Sequence, residues 1–272
     1  MGELALASVG GGGSPRADSV SGRPLYRTEA LVLRTWRMGE ADRLISMLSR
    51  EYGRLRAVAK GARKATSRHG AVLEAGSLVE LQLYKGRELD TITQANSLEA
   101  RPSYRTDLRR YARASVMLEA IECAAIERHP APAMFDLLAG ALKALEAGDR
   151  PLLVAAFVLK LLALEGLAPQ LDACTGCGSF EDLVAFDPNL GGARCDACRS
   201  GTPLPVDGFG LMELMLSGRV ALALQEPESP LTRSIESLAV ASLERHLERR
   251  LRSLEAFDVA AQRLMGPQTA AT

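Results

Sequence analysis

Four of the five cysteines fall into two C-x-x-C pairs, Cys174 with Cys177 and Cys195 with Cys198, separated by 17 residues. A C-x-x-C turn bends two thiolates toward one point, and a second such turn completes a tetrahedron around a divalent zinc ion. Four thiolates leave no open coordination position, so the expected chemistry is structural, with one Zn²⁺ per chain. A redox dithiol pair or four unrelated thiols are the competing readings; two complete pairs at ribbon spacing favour metal. Catalytic zinc is disfavoured because His69, His129 and His246 all lie far from the pairs. Cys123 sits beside Ala124 and Ala125 and reads as a buried apolar residue.

The second set of chemistry-bearing residues is cationic. Arg50, Arg54, Arg56, Lys60, Arg63, Lys64 and Arg68 crowd a stretch that contains one acid, Glu51, and the glycines Gly61 and Gly70. Arg34, Arg37 and Arg43 precede them on strand-like segments. Flexible cations on a loop leaving a strand neutralise phosphates without reading sequence. On the residues alone, an ordinary solvated loop carries equal weight. There is no G-x-x-x-x-G-K-[ST] phosphate loop and no H-E-x-x-H metal helix, and nothing suggests a nucleophile–base pair, so no enzyme is expected.

Positioning these groups requires a folded scaffold, and the chain has the apolar content for one. Hydrophobic residues make up 47% and charged residues 24%, as in ordinary globular proteins, which excludes global disorder. The net charge is zero but unevenly spread. Residues 23–100 hold 14 Lys and Arg against 9 Asp and Glu, while residues 101–272 hold 18 against 22. A basic first part on a mildly acidic scaffold suits a nucleic-acid face at the front. The longest apolar run, Leu152 to Leu159, is cut by Lys160, too short for a membrane span. Met1 to Leu6 lacks the basic region and long apolar core of a secretory signal, so a cytoplasmic, reducing setting is expected.

Residues 1–22, with Gly10 to Gly13 before Ser14 and Pro15, read as a disordered leader. From there short strand-like runs follow: Thr28 to Trp36, Arg43 to Ser49, Arg54 to Ala59, Val79 to Leu83 and Leu89 to Ala95. Five strands in about 75 residues suggest a small closed barrel over 23–100, since closure removes exposed edges. An OB-type barrel fits the count, although five strands alone do not single it out. Arg54 and Arg56 would share one face of their strand. After Pro102 the period becomes helical: Tyr104 to Ile126 with Leu108 and Tyr111 on its apolar stripe, Met134 to Ala147, and Leu152 to Leu167. Beyond the cysteines, Asp207 to Leu216 and Thr232 to Leu254 are helical again. The expected class is α+β: a barrel, a helical domain over 101–170 and 205–260, a zinc insertion at 171–204, and a flexible tail at 261–272.

Three stretches resemble a known family. Thr28-Glu29-Ala30-Leu31-Val32-Leu33, Gly39-Glu40-Ala41-Asp42-Arg43-Leu44-Ile45, and Glu51-Tyr52-Gly53-Arg54 through Lys60-Gly61-Ala62-Arg63 are similar to the start of the bacterial DNA repair proteins of the RecO family. The order of barrel, helices, four-cysteine insertion and helices also looks like that family over roughly 26–255. The resemblance implies a non-enzymatic recombination mediator that binds single- and double-stranded DNA and anneals complementary strands. It further implies work with RecR to load RecA on strands coated by single-strand DNA-binding protein (SSB), in the cytoplasm at the nucleoid. DNA contacts are then expected from Arg34, Arg37, Arg43, Arg54, Arg56, Lys60, Arg63, Lys64 and Arg68. Trp36, Tyr52 and Tyr84 are few as stacking platforms, so electrostatics should dominate. The rival from another class is a zinc-ribbon scaffold that contacts only proteins.

Overall fold

A computed structural model describes residues 19–20, 23–64, 67, 69–101 and 106–254. Most of the segment expected as a leader lies outside these residues, as do the tail 261–272 and Arg68. Two residues of that segment are described: Ser19–Val20 forms a short strand, β1, that pairs antiparallel with Arg23 and Pro24.

The five remaining strands of the first part are β2 (Arg23–Met38), β3 (Asp42–Ser49), β4 (Gly53–Ala59), β5 (Leu78–Tyr84) and β6 (Asp90–Glu99). β2 is longer than its β-propensity predicts because it serves two neighbours. Its first half pairs with β5 from Leu25 to Leu31, and its second half pairs with β3 from Ala30 to Met38. The chain then runs β3 to β4 antiparallel, β4 to β6 parallel, and β6 to β5 antiparallel, which closes the sheet on itself. This is an OB-like five-stranded barrel. A short helix, α1 (His69–Val72), follows β4, and the next residue, Leu73, is fully buried in the barrel interior.

The helical part comprises α2 (Leu108–Ala124), α3 (Pro132–Ala147), α4 (Leu153–Leu164), α5 (Val206–Leu216), α6 (Val220–Ala223) and α7 (Pro230–Leu247). Asp107 caps α2 by accepting from the N–H groups of Arg109 and Arg110. Ser229 and Thr232 close a reciprocal capping box on α7. α4 is apolar on nearly all sides, Lys160 apart, and lies at the centre, buried from Leu153 to Leu159. α7 stops at Leu247, not at Leu254 as its charged periodicity suggests. Glu248 adopts a left-handed conformation there, with φ +51°, and redirects the chain.

Period-two alternation in β2 joins the two parts. Ala30 and Val32 point into the barrel core, while Leu31 and Leu33 pack, with Leu48, into the helical core. Burial of each such leucine is worth about 1.5–3 kcal/mol. The seam continues at β4. Arg54 N–H donates to the Ile126 carbonyl at 3.4 Å, and Arg128 N–H donates to the Arg54 carbonyl at 2.9 Å. The chain leaving α2 thus runs as a short extra partner alongside β4. Asp90, wholly buried, accepts from Tyr26 Oη at 2.5 Å and from the Arg128 guanidinium at 2.9 Å. Burial, with this carboxylate beside it, drives the Tyr26 phenol well above its ordinary range.

Gly53 sits at the tightest point of this seam. Its φ is +63°, and a Cβ there would lie 1.7 Å from the His129 carbonyl oxygen. Gly53→Ala should therefore cost about 2 kcal/mol or more, from backbone strain and overlap together. Urea unfolding with the midpoint compared to the parent chain checks this; an unchanged midpoint would mean the seam does not depend on that approach.

Candidate nucleic-acid interface and metal centre

The cations expected to contact DNA separate into two groups, and ion pairing is what separates them. Arg54 donates from Nη1 to the Glu122 carbonyl at 2.7 Å and faces Glu127 at 3.7 Å; Arg56 reaches the same carboxylate at 3.2 Å. Arg34 lies 3.9 Å from Glu122, with its guanidinium 5.1 Å above the Trp36 ring. The shared face of Arg54 and Arg56 is real, but α2 and the residues after it partly cover it. Burial pushes the Glu122 carboxyl above its usual range, although Arg34 opposes the shift. Arg43 is also committed, to the Gly70 carbonyl and to Glu74, both at 3.3 Å.

Arg37, Lys60, Arg63 and Lys64 behave differently. They are exposed, and among the described residues none has a carboxylate within salt-bridge distance. Arg37, Arg63 and Lys64 line one cleft of about 490 Å³ together with Arg43, Trp36 and Thr35, and no acidic residue among the described ones lines it. Its shape comes from the loop after β4 folding onto the β2–β3 turn. The Asp42 carboxylate accepts from Gly61 N–H at 2.8 Å, and Arg63 N–H donates to the Ala41 carbonyl at 2.9 Å. The Arg63 guanidinium donates to the carbonyls of Gly39 and Glu40 at 3.1 and 2.9 Å. Gly39 and Gly61 hold φ near +60°, which suits glycine in both turns. Two stretches that carry the family resemblance, Gly39–Arg43 and Tyr52–Arg63, thus meet in one contact.

The cysteine cluster is built on a three-stranded sheet: β7 (Leu183–Asp187), β8 (Gly192–Cys195) and β9 (Thr202–Pro203). Phe186 of β7 is fully buried in the helical core and anchors the insertion. The four Sγ atoms of Cys174, Cys177, Cys195 and Cys198 lie within 4.8 Å of one another. Ligands at ~2.3 Å on a tetrahedral ion sit roughly 3.8 Å apart, so the set fits one metal ion. Cys174 accepts from Gly176 N–H at 3.4 Å. Backbone N–H groups of Cys195 and Cys177 lead in holding the Cys174 thiol down, to about 6. Its neighbours Cys177 and Cys195 push Cys198 the other way, up to about 12. A cation among the four sulfurs would relieve the crowding that pushes Cys198 up.

Arg194 was not foreseen. Its Nε and Nη2 donate to the Cys198 carbonyl at 3.0 and 2.8 Å, and Nη1 reaches Thr175 Oγ1 at 3.4 Å. It ties one cysteine turn to the other, and a Cβ at Gly176 would come within 2.4 Å of it. No spacing marks such a residue. Glu122 and Glu127 were missed likewise: helical periodicity puts them on a polar face without revealing that this face meets the barrel.

Comparison with known proteins bears on both sites. Residues 23–101 match the family described as "Recombination protein O N terminal", and residues 105–255 match "Recombination protein O C terminal". The chain is 41% identical over 240 residues to a protein named DNA repair protein RecO from a Nocardioides species, covering 85% of this chain and 98% of the relative. It is 39% identical over 241 residues to one of the same name from Cutibacterium acnes, at the same coverage.

The purified chain should carry about one tightly bound metal ion, with Cys174→Ser or Cys195→Ser releasing it and lowering Tm. Elemental analysis together with thiol titration checks this. Four freely titrating thiols in metal-free protein purified without chelator would remove the site.

Proposed function

The chain belongs to the RecO family of DNA repair proteins, and on that premise we propose that it is a DNA-binding recombination mediator whose contact surface is the cleft of Arg37, Arg63 and Lys64 on the barrel. The observation that carries the reading is the pairing pattern. A cation already neutralised by a carboxylate releases few counterions when phosphate arrives, whereas an unpaired one releases its full share. Lys60 belongs to the unpaired set, and Arg43 shapes the cleft while held by Glu74. Arg68 belongs to the same basic loop in sequence. Arg34, Arg54 and Arg56 contribute less, because Glu122 and Glu127 already balance them.

The wider role follows from the family. The protein binds single and double strands with little sequence preference and anneals complementary strands. With RecR it promotes RecA loading on DNA coated by SSB, in the cytoplasm at the nucleoid, without catalysing a reaction itself. No helix among the described residues is long and apolar enough to cross a membrane, which is compatible with this setting. The metal is zinc, held structurally by Cys174, Cys177, Cys195 and Cys198, because four thiolates match its preference and leave no open position.

Titration of a labelled single strand at several salt concentrations tests the reading. Affinity should fall steeply with salt, and Arg37→Glu/Lys60→Glu/Lys64→Glu should reduce it by at least tenfold while leaving Tm and metal content unchanged. Each single Ala substitution in that set should lower the salt slope by about one unit. Arg54→Glu/Arg56→Glu should instead lower Tm, since it sets like charges against Glu127. Salt-independent binding, or full affinity in the triple variant, would sink the cleft and favour the protein-only scaffold.

A further inference from the structure

The cationic cleft does not end at Thr35 and Ala71. Both residues also line a second groove, of about 630 Å³, that runs between the barrel and α2. That volume lies within the ~300–1,000 Å³ of sites that enclose a small organic group. The character of the lining changes along the way. The groove is floored by Leu33, Ala114 and Leu118, each buried, and walled by Tyr111. Tyr111 was expected on the apolar stripe that packs inward, yet 53% of it is exposed.

The charged lining here is mixed, with Glu74, Glu119 and Glu122 beside Arg34, Arg101 and Arg252, so phosphates are served less well than in the cleft, whose charged lining is all basic. Each carboxylate is nevertheless occupied. Glu74 meets Arg43, Glu122 meets Arg34, and Glu119 accepts from the N–H groups of Arg252 and Ser253 at 3.1 and 2.7 Å. What remains is a flat aromatic face above an apolar floor, with the three carboxylates already held by Arg43, by Arg34 and by the Arg252 and Ser253 amides. An aromatic ring of this kind stacks any base, since every base has a π-face.

We propose that this groove takes unstacked nucleobases of a single strand whose phosphates lie in the adjoining cleft, with Tyr111 as the stacking face. The proposal rests on the cleft being the phosphate site. The two grooves then divide the labour of single-strand binding: one neutralises charge, and the other receives the bases that a duplex keeps hidden.

Anisotropy titration of the full chain with a labelled oligothymidylate and with an abasic strand of equal length separates the two parts. The parent chain should prefer the base-bearing strand by about fivefold or more, the effect of one stacked base. Tyr111→Ala should remove that preference while leaving abasic affinity and the salt slope unchanged. Tyr111→Phe should restore it. Arg63→Glu/Lys64→Glu should weaken both strands alike. Equal affinity for the two strands in the parent chain, or a preference that survives Tyr111→Ala, would overturn the groove as a base site while the cleft stands, and would leave the groove to a protein segment. Failure of both strands to bind would overturn the cleft reading and this one with it.

Discussion

Side chains on β2 between Ala30 and Leu33 alternate between two hydrophobic cores, one inside the barrel and one among the helices. Both faces of the strand are therefore committed, and a shift of one residue would exchange the two sets. From this follows the fixed placement of α2 against β3 and β4, the strand-like pairing of Arg54 with the residues after α2, and the need for Gly53 where His129 comes close. The barrel has no freedom to turn its other side toward the helices. The face left open carries the β2–β3 turn and the loop after β4.

That docking also sorts the charges. The barrel has more cations than its own acids balance, and α2 with the residues after it brings Glu122 and Glu127 to those nearest the seam. Such partly exposed pairs contribute little stability, about 0–1 kcal/mol each. Their larger consequence is that Arg34, Arg54 and Arg56 lose positive potential, while Arg37, Lys60, Arg63 and Lys64 keep theirs. At the far end, Phe186 seats the cysteine module in the helical core, and none of its cysteines lines the cleft.

Much of this was legible in the residues. Two C-x-x-C pairs identify a cluster able to hold a metal ion because the geometry is local, and alternation at Val79 to Leu83 identifies a barrel strand because one face must be buried. The order of barrel, helices and inserted sheet follows from the change of period. What could not be read depends on contacts distant in sequence. Arg54 and Arg56 share a face, as a strand requires, but nothing near them indicates that Glu127 would lie against it. Tyr111 fits the apolar stripe of its helix, yet it lines the groove between barrel and helix and is half exposed. The end of α7 at Leu247 was hidden by a charged pattern that continues through Arg252, because a left-handed turn at Glu248 leaves no mark in periodicity.

The central claim is that nucleic acid meets the open side of the barrel, at the turn and loop that frame the unpaired cations. Hydrogen–deuterium exchange of the full chain, with and without a saturating single-stranded oligonucleotide, examines this without altering a residue. Exchange should slow at residues 39–42 and 60–64, where backbone amides hold the cleft together, and should remain unchanged around Cys174 to Cys198. Protection confined to the cysteine module, with none at the turn or loop, would contradict the account.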